Sequence, residues 1–259
     1  MNICTFNVNS IRARRDLILQ WLDHRGQDLD VLLFQELKGE EGQFPLEDFK
    51  ALGYECSIYG QKTYNGVAVC SKIPMSDIQL GFGEDPWDEQ KRLLAVRIGE
   101  LNIINVYAPH GDVPGTEKFR YKQDWYRTFI RLLSSRFTPK DSLIIGGDFN
   151  VAREDRDVYS AVDLADTVGT LREEREVFES LLQWGLTDVF RFVHPKDQVF
   201  TWWDYRTAGI WRDEGMRIDY LLCTSSLIKR FKSIAVDLWP RKRRSPTPSD
   251  HAPLWADLE

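Results

Sequence analysis

Short apolar runs that end abruptly in polar residues recur along the chain and predict buried strands. The clearest runs are rich in β-branched residues and are about as long as a buried strand. They lie at 2–6, 31–34, 101–106 and 143–145. Further strands are predicted at 67–70, 93–98, 220–223 and 252–258. Strands therefore dominate the chain, and polar side chains collect where the strands end.

Helical spacing of apolar residues appears between the strands and predicts three helices. The first has Leu17, Trp21 and Leu22 on one face, and the second spans 117–136. Hairpin-like pairs, such as 92–98 with 101–107, sit beside β-α-β stretches. This mixture favours a mixed sheet or sheets with helices outside.

The third helix has the clearest predicted limits. Thr170 and Glu173 fit a capping box at its start, and Gly185 is expected as the C′ residue that follows its end. The apolar stripe between these limits consists of Val177, Phe178, Leu181 and Leu182. Their spacing places the four side chains on one helical face.

Composition supports one folded domain over residues 1–259. Hydrophobic residues make up 42% of the chain and aromatic residues 12%, too many for a disordered chain. No stretch approaches roughly 18 consecutive apolar residues, so no membrane span is expected. The net charge of −6 argues against a protein that coats nucleic acid indiscriminately. It does not exclude a nuclease, because a bound metal ion offsets catalytic carboxylates locally.

The four cysteines, Cys4, Cys56, Cys70 and Cys223, are far apart and form no C-x-x-C pair. In a chain of this length we therefore expect neither a disulfide framework nor a zinc site. The first residues lack a basic segment followed by an apolar one, so no secretory signal is predicted. A reduced, cytoplasmic setting is the resulting expectation.

Carboxylate and amide side chains at strand ends are the main chemical signal. Asp148 and Asn150 follow an apolar run and are separated by one residue, so an extended backbone points both to the same side. Asn7 and Glu36 also follow apolar runs, and strand ends are where ligands bind in sheets flanked by helices. A lone strand-end Asp is more often a turn former, but the four together indicate a site. The side chains of Asn7, Glu36 and Asp250 form an oxygen-rich set that suits a hard cation such as Mg²⁺.

Three further features each allow a structural and a functional interpretation. His251 follows Asp250 and would need a partner carboxylate to stay protonated, for which Asp219 is one candidate. The aromatic stretch 200–206 is either core packing or a surface that stacks on a sugar or base. The basic residues of loop 240–248 form either a solvated loop or a functional rim beside the site.

Eight segments, in this order, resemble the exonuclease III family of abasic-site endonucleases, within the DNase I-like endonuclease/exonuclease/phosphatase superfamily. They span nearly the whole chain, and a match to all eight in register is very specific for this family. They are 6–13, 35–38, 60–68, 105–109, 147–150, 202–206, 217–219 and 248–253. The resemblance implies a four-layer α/β sandwich, with two mixed β-sheets packed face to face and helices on both outer sides.

The resemblance also implies roles for individual residues. Glu36 is expected to be the principal ligand of Mg²⁺, for which Mn²⁺ can substitute. The residues expected around the ion or its waters are Asn7, Asn9 and Asp250. The expected catalytic residues are Asp148, which activates the attacking water, Asn150, which fixes it, and the phosphate donors Tyr107 and His251, the latter paired with Asp219. The expected substrate contacts are Trp202, Arg92, Lys122 and Asn150.

The implied activity is Mg²⁺-dependent cleavage of duplex DNA on the 5′ side of abasic sites, with 3′→5′ exonuclease and 3′-end-cleaning activity. The implied partner is double-stranded DNA with abasic sites or 3′ ends, bound by a monomer. Three alternatives stay open: a family member that is mainly a 3′→5′ exonuclease, a phosphoesterase of the same superfold acting on lipid or inositol phosphates, and a nucleic-acid-binding module without catalysis.

The chain departs from the family pattern at two positions. His110 stands where an amide side chain is expected, and Asn9 is neutral where some relatives carry Asp. The loop 155–169 varies in the family and borders the pocket, and Gly169 at its end is expected to leave room for an opposing base. His110 is expected to shift the pH profile, Asn9 is expected to weaken or relocate a second metal ion, and the loop is expected to decide between abasic incision and exonuclease action alone.

Overall fold

Two mixed six-stranded sheets form the centre of the computed structural model, which describes residues 1–84 and 86–259. The strands of the first sheet are β1 (Asn2–Asn7), β2 (Val31–Gln35), β3 (Glu55–Tyr59), β4 (Val67–Ser71), β11 (Phe231–Val236) and β12 (Leu254–Leu258). Their spatial order is β11-β12-β1-β2-β4-β3. In this sheet β1 and β2 are parallel, while β12 pairs antiparallel with β1. The two ends of the chain therefore lie side by side.

The second sheet repeats this mixture of parallel and antiparallel pairs. Its strands are β5 (Met75–Leu80), β6 (Leu93–Ile98), β7 (Leu101–Tyr107), β8 (Leu143–Asp148), β9 (Leu186–Asp188) and β10 (Asp219–Thr224). Their spatial order is β5-β6-β7-β8-β10-β9. The predicted hairpin of 92–98 with 101–107 is confirmed, because β6 and β7 pair antiparallel along their whole length. β7 and β8 run parallel, and a helix crosses over between them.

Helices cover the outer faces of the two sheets. Those on the outer faces are α1 (Ile11–His24), α2 (Leu46–Ala51), α3 (Glu117–Arg136) and α4 (Arg172–Gln183), whereas α5 (Val189–Val193) contributes Val189 and Phe190 to the apolar layer between the sheets. Trp21 of α1 packs on the first sheet, and Trp125 of α3 and Phe178 of α4 pack on the second. A third apolar layer, which includes Leu33 and Ile144, lies between the sheets. The predicted four-layer α/β sandwich is confirmed.

The start of α4 differs from the predicted capping box. Leu171, not Thr170, is the N-cap residue, and the side chain of Glu174, not that of Glu173, reaches back to the backbone that precedes the helix. Its carboxylate accepts the backbone N–H groups of Gly169 at 2.6 Å and Leu171 at 3.3 Å. The prediction was wrong by one residue because Glu174 is the buried member of two adjacent glutamates, a choice that local sequence does not reveal.

The cysteine prediction also needs correction. Cys56 and Cys70 stand opposite each other in the antiparallel β3–β4 pair and form a disulfide. They are 14 residues apart in sequence, but the register of the hairpin brings them into contact. Cys4 and Cys223 are free and buried. Among the described residues, no helix is long and apolar enough to cross a bilayer.

The topology brings the predicted site to one edge of the sandwich. The parallel strands β1 and β2 end at Asn7 and Gln35, and the parallel strands β7 and β8 end at Tyr107 and Asp148. β10 runs the other way and begins at Asp219, directly opposite Asp148. Polar residues from both sheets therefore meet where their apolar runs stop.

Candidate active site

A buried imidazole joins two carboxylates at the centre of this edge. His251 Nδ1 lies 2.8 Å from Asp219 Oδ2, and His251 Nε2 lies 3.8 Å from Asp148 Oδ2. All three side chains are at most 4% exposed, so their charges interact with little screening by water. The backbone N–H of His251 donates to the hydroxyl of Ser249 at 3.2 Å, which helps to fix the ring.

Burial and charge act against each other on the pKa of His251. Burial disfavours the charged ring, but the carboxylates of Asp219 and Asp148 more than compensate and raise the pKa of His251 to about 10. The imidazole is therefore protonated at neutral pH. Its Nδ1–H donates to Asp219, which leaves Nε2–H as a cationic donor beside Asp148.

Asp148 combines a raised pKa with a fixed orientation. Burial, against the opposing charge of His251, raises the pKa of Asp148 to about 7. Its Oδ2 accepts a hydrogen bond from Asn7 Nδ2 at 2.9 Å, and its Oδ1 accepts one from the backbone N–H of Asn150 at 2.9 Å. Asn150 is held in turn, because its Nδ2 donates to the carbonyl of Ala108 at 2.9 Å. A carboxylate that titrates near neutral pH is suited to accept a proton.

Glu36 shares the side-chain amide of Asn7 with Asp148. Asn7 Nδ2 donates to both carboxylates, at 3.0 Å to Glu36 Oε1 and 2.9 Å to Asp148. Glu36 Oε2 lies 2.9 Å from the ammonium of Lys38. Burial tends to raise the pKa of Glu36, but the charge of Lys38 and the hydrogen bond from Asn7 outweigh it and lower that pKa. Glu36 is therefore ionised at neutral pH.

A group of oxygen ligands suitable for a metal ion lies around Glu36. Ligand atoms of Glu36, Asp148 and His251 all lie within 4.8 Å of one another. Because His251 is protonated, its ring has no lone pair to offer, so carboxylates supply the ligands. Asp250 adds a third carboxylate to the cavity that Glu36 and Asp148 line.

The charges and chemistry of this group fit a hard divalent cation. Four carboxylates, those of Glu36, Asp148, Asp219 and Asp250, are accompanied by two cationic side chains, Lys38 and His251. When all are ionised, two negative charges remain uncompensated. Oxygen ligands with this excess charge can hold a metal ion of the Mg²⁺ type.

Asn7 and Asn9 lie at the predicted position but use their amide groups to orient carboxylates. Asn7 Oδ1 accepts the backbone N–H of Asn9 at 3.0 Å, while its Nδ2 holds Glu36 and Asp148. Asn9 Nδ2 donates to Asp250 Oδ1 at 2.8 Å, and Lys38 Nζ donates to Asn9 Oδ1 at 2.5 Å. The two asparagines thus fix the orientation of the carboxylates that would bind the metal ion.

Tyr107 and Arg92 form a stacked pair next to the carboxylates that would bind the metal ion. The guanidinium carbon of Arg92 lies 4.7 Å from the centroid of the Tyr107 ring, and Arg92 Nη1 donates to the Tyr107 carbonyl at 3.1 Å. Burial and the charges of Glu36 and Asp148 raise the pKa of Tyr107 well above its ordinary value. The phenol is therefore an O–H donor across the working pH range.

A cavity of about 220 Å³ opens beside these groups. Its polar side carries Glu36, Tyr107, Asp148, Asn150, Asp250 and His251, and its other side carries Val168, Gly169, Trp202, Met216 and Ile218. The indole N–H of Trp202 donates to Asp250 Oδ2 at 3.1 Å. These apolar residues form the apolar wall of a space that the charged groups also line and that is large enough for a small ligand.

Comparisons with known proteins agree with this architecture. The model of the Endonuclease/Exonuclease/phosphatase family matches residues 4–251. Exodeoxyribonuclease III of Haemophilus influenzae is 33% identical over 271 residues, covering 100% of both chains. The chain belongs to the exonuclease III branch of this family. It also resembles the solved structure of an AP endonuclease from Archaeoglobus fulgidus, with 35% identity, a TM-score of 0.94, and coverage of 100% of this chain and 99% of that one. A 3′-5′ exonuclease from Neisseria meningitidis is similar to the same degree, with 35% identity, a TM-score of 0.92 and full coverage of both chains.

One residue of the exonuclease III pattern lies away from the cavity surface. Lys122 is fully buried in an ion pair with Glu174 and donates to two backbone carbonyls. It has no exposed surface through which to contact a substrate. Arg92, by contrast, borders an adjoining cleft of about 740 Å³ that shares Tyr107 and His110 with the first cavity.

Sequence reasoning did not identify several site residues of this exonuclease III family member. Lys38 lies in the 35–38 segment that resembles the family, but the sequence predicts no role for it, although its ammonium contacts Glu36 and Asn9. Met216 and Ile218 form the apolar wall but lie outside regular strands. The signal that could have found them is the Arg217-Ile218-Asp219 segment, which contains Ile218 and directly follows Met216.

Proposed function

We propose that the protein is a Mg²⁺-dependent DNA phosphodiesterase that incises duplex DNA on the 5′ side of abasic sites. We also propose 3′→5′ exonuclease and 3′-end-cleaning activity at the same site. The observation that carries the proposal is the convergence of Glu36, Asp148 and His251, whose ligand atoms lie within 4.8 Å of one another. A cation held by carboxylates and a protonated imidazole can therefore contact one phosphodiester together.

The side chains divide the chemistry of in-line hydrolysis between them. Asp148, with a pKa of about 7, accepts a proton from the attacking water, while Asn150 keeps its carboxylate oriented. His251 and Tyr107 donate hydrogen bonds to oxygens on which charge develops. Bound by Glu36 and Asp250, Mg²⁺, or Mn²⁺ in its place, would neutralise charge on the phosphoryl oxygens.

The apolar wall suits a sugar that carries no base. Trp202, Met216 and Ile218 line the cavity together with the polar groups, and Trp202 is fixed by its hydrogen bond to Asp250. An abasic nucleotide has no base to unpair or unstack, so extruding it costs less free energy than extruding a normal nucleotide. The small cavity therefore favours abasic nucleotides.

Gly169 supports abasic incision over exonuclease action alone. Similar solved structures include both an AP endonuclease and a 3′-5′ exonuclease, each at 35% identity, so overall similarity does not separate the two activities. Gly169 lines the cavity, and a Cβ atom there would lie 3.1 Å from Met216 Cε. The absence of a side chain keeps this edge open for the DNA opposite the lesion.

A direct test replaces this glycine. Gly169→Asn should reduce incision of an abasic duplex more than digestion of an intact recessed 3′ end, as measured on gels in one buffer. Gly53→Asn is the matched control, because Gly53 has a φ of +85° against +92° for Gly169 and has open space around its Cβ position. Equal losses on both substrates with Gly169→Asn would favour a role for this residue in folding, not in substrate choice.

The remaining parts of the proposal concern partners and location. The partner is double-stranded DNA that carries abasic sites or 3′ ends. We propose a monomer, because one chain supplies every side chain of the site. A cytoplasmic location is proposed because the matched exodeoxyribonuclease III comes from a bacterium, and bacterial DNA lies in the cytoplasm.

A further inference from the structure

A buried ion pair lies behind the cavity and is not used by the chemistry above. Lys122 of α3 and Glu174 of α4 are both 0% exposed, and Lys122 Nζ lies 2.6 Å from Glu174 Oε1. Burying two opposite charges costs solvation free energy that their mutual attraction repays only with good geometry and further hydrogen bonds. The further partners of these two side chains are therefore informative.

Lys122 uses its remaining donors on the backbone of two cavity loops. Its ammonium donates to the carbonyl of Asn150 at 2.7 Å and to the carbonyl of His110 at 3.0 Å. One turn later on α3, the hydroxyl of Tyr126 donates to the carbonyl of Phe149 at 2.5 Å. α3 thus holds two consecutive carbonyls in the segment that follows β8, where Asp148 and Asn150 lie.

Glu174 holds the third cavity loop. Its second oxygen, Oε2, accepts the backbone N–H of Gly169 at 2.6 Å. Gly111 packs directly against the pair, and a Cβ atom there would lie 2.7 Å from Lys122 Cδ and 3.3 Å from Glu174 Oε1. The φ of +81° at Gly111 favours glycine at this position. The backbone of the 108–111 segment therefore closes over the ion pair.

The three loops that the pair connects are the loops that shape the cavity. His110, Asn150 and Gly169 each line the cavity, and each has a backbone group bonded to Lys122 or Glu174. These loops are distant in sequence: the first follows β7, the second follows β8, and the third is the 155–169 loop, which ends at Gly169. The loops are also joined directly, because Asn150 Nδ2 donates to the Ala108 carbonyl and the backbone N–H of Ala152 donates to the Gly169 carbonyl at 2.7 Å.

We propose that Lys122 and Glu174 are positioning residues that set the spacing of the His110, Asn150 and Gly169 loops around the abasic nucleotide. This inference rests on the proposed function and extends it. Neither side chain touches DNA; both act through the loops that do. A neutral, well-packed pair could give the same stability, since buried ion pairs are often replaced by apolar residues without loss. Such a pair could not hold the carbonyls of His110 and Asn150 and the backbone N–H of Gly169 in place.

Stability and turnover can be separated by comparing single and double variants. Lys122→Met leaves the Glu174 carboxylate buried without its cation, so both the urea midpoint and kcat should fall. Lys122→Met combined with Glu174→Met removes both charges and should restore much of the urea midpoint. Its kcat on an abasic duplex should stay low, on the order of 10²-fold below wild type, because misplacement by about 1 Å can cost that much. KM should stay close to the wild-type value, because no DNA-contacting side chain has changed.

A control variant and a direct structural readout complete the experiment. Arg25→Met breaks the ion pairs of Arg25 with Asp28 and Asp237 behind the first sheet and should lower stability while leaving kcat unchanged. Amide hydrogen exchange at Gly169 should accelerate in the double variant and in the milder variant Glu174→Gln. If the double variant does not fold, Glu174→Gln decides, and it should fold with a reduced kcat.

The outcomes distinguish this inference from the proposed function. Recovery of wild-type kcat in the double variant, or wild-type kcat with unchanged Gly169 exchange in Glu174→Gln, overturns the positioning role. A loss of kcat in Arg25→Met equal to that in the double variant would also overturn it, since activity would then follow stability alone. Failure of the wild-type protein to cleave abasic DNA would instead reject the proposed function.

Discussion

His251 Nδ1 lies 2.8 Å from Asp219 Oδ2, and this hydrogen bond directs the other ring nitrogen towards Asp148 and the cavity. The backbone N–H groups of Ile218 and Asp219 both donate to the hydroxyl of Thr201 at 3.1 Å, which fixes the carboxylate end of the pair. A buried carboxylate therefore determines both the charge and the direction of the imidazole.

The first prediction concerns the protonation of this imidazole. Asp219→Asn removes a negative charge that raises the pKa of His251, so that pKa should fall clearly below its wild-type value of about 10. NMR titration of the ring protons in protein treated with EDTA measures the shift. An unchanged His251 titration in Asp219→Asn would show that the pair does not hold the ring protonated.

The same pair predicts a pH dependence of stability. The folded pKa of His251 lies above its ordinary value of 6.5, so the folded state binds the proton more tightly than the unfolded state does. Its stabilising contribution is therefore complete below pH 6.5 and is lost as the pH rises through about 10. The free energy of unfolding of wild type minus that of Asp219→Asn, measured by urea titration in EDTA, should shrink over this range. A difference that grows with pH would contradict the assignment.

A third prediction tests Asp148 as the proton acceptor. Asp148→Asn keeps the shape of the side chain but removes its basicity, and kcat on an abasic duplex should fall by about 10²–10⁴-fold. Asp124→Asn, at an exposed position on α3, is the control and should retain wild-type kcat. Unchanged turnover in Asp148→Asn would rule out the proposed role.

A fourth prediction concerns metal binding. Adding Mg²⁺ to EDTA-treated protein should raise the melting temperature, because a ligand that binds only the folded state stabilises it. Glu36→Gln removes the principal carboxylate ligand and should largely abolish this increase. The experiment uses thermal unfolding and does not depend on activity. An equal increase in Glu36→Gln would place the metal elsewhere.

A fifth prediction isolates the phenol of Tyr107. Tyr107→Phe preserves the ring that stacks on Arg92 and should leave the urea midpoint nearly unchanged. Loss of the O–H donor should lower kcat by about 10²–10³-fold, as expected for one preorganised donor to a developing charge. A steady-state assay on abasic DNA measures this, and a wild-type kcat would remove Tyr107 from the chemistry.

The strand-end residues were the part of the site that elementary pattern analysis could find. Asn7, Glu36 and Asp148 each terminate an apolar run, and parallel strands deliver their ends to the same edge. The pairing of Asp219 with His251 was different, because it joins two segments 32 residues apart through tertiary packing alone. Residue reasoning gave Asp219 as one candidate partner of His251, and the family resemblance indicated the pairing.

Burial and register explain what the sequence did not reveal. The sequence around Lys122 is that of an amphipathic helix, on which a lysine is expected at the surface. Lys122 is buried because it pairs with Glu174, 52 residues away on another helix. The Cys56–Cys70 disulfide depends on the register of β3, a polar edge strand that the apolar pattern does not detect. Both features arise from contacts between elements and not from preferences within one.

The central claim is that a metal ion and a protonated imidazole act on one phosphodiester of abasic DNA. The most direct test is one gel assay that compares an abasic duplex with an intact recessed-end duplex, each with Mg²⁺ and with EDTA. The account predicts a nick on the 5′ side of the abasic site and shortening of the recessed 3′ end, both only with Mg²⁺. Cleavage that persists in EDTA, or no cleavage of either DNA under conditions where a lipid or inositol phosphate is hydrolysed, would contradict it.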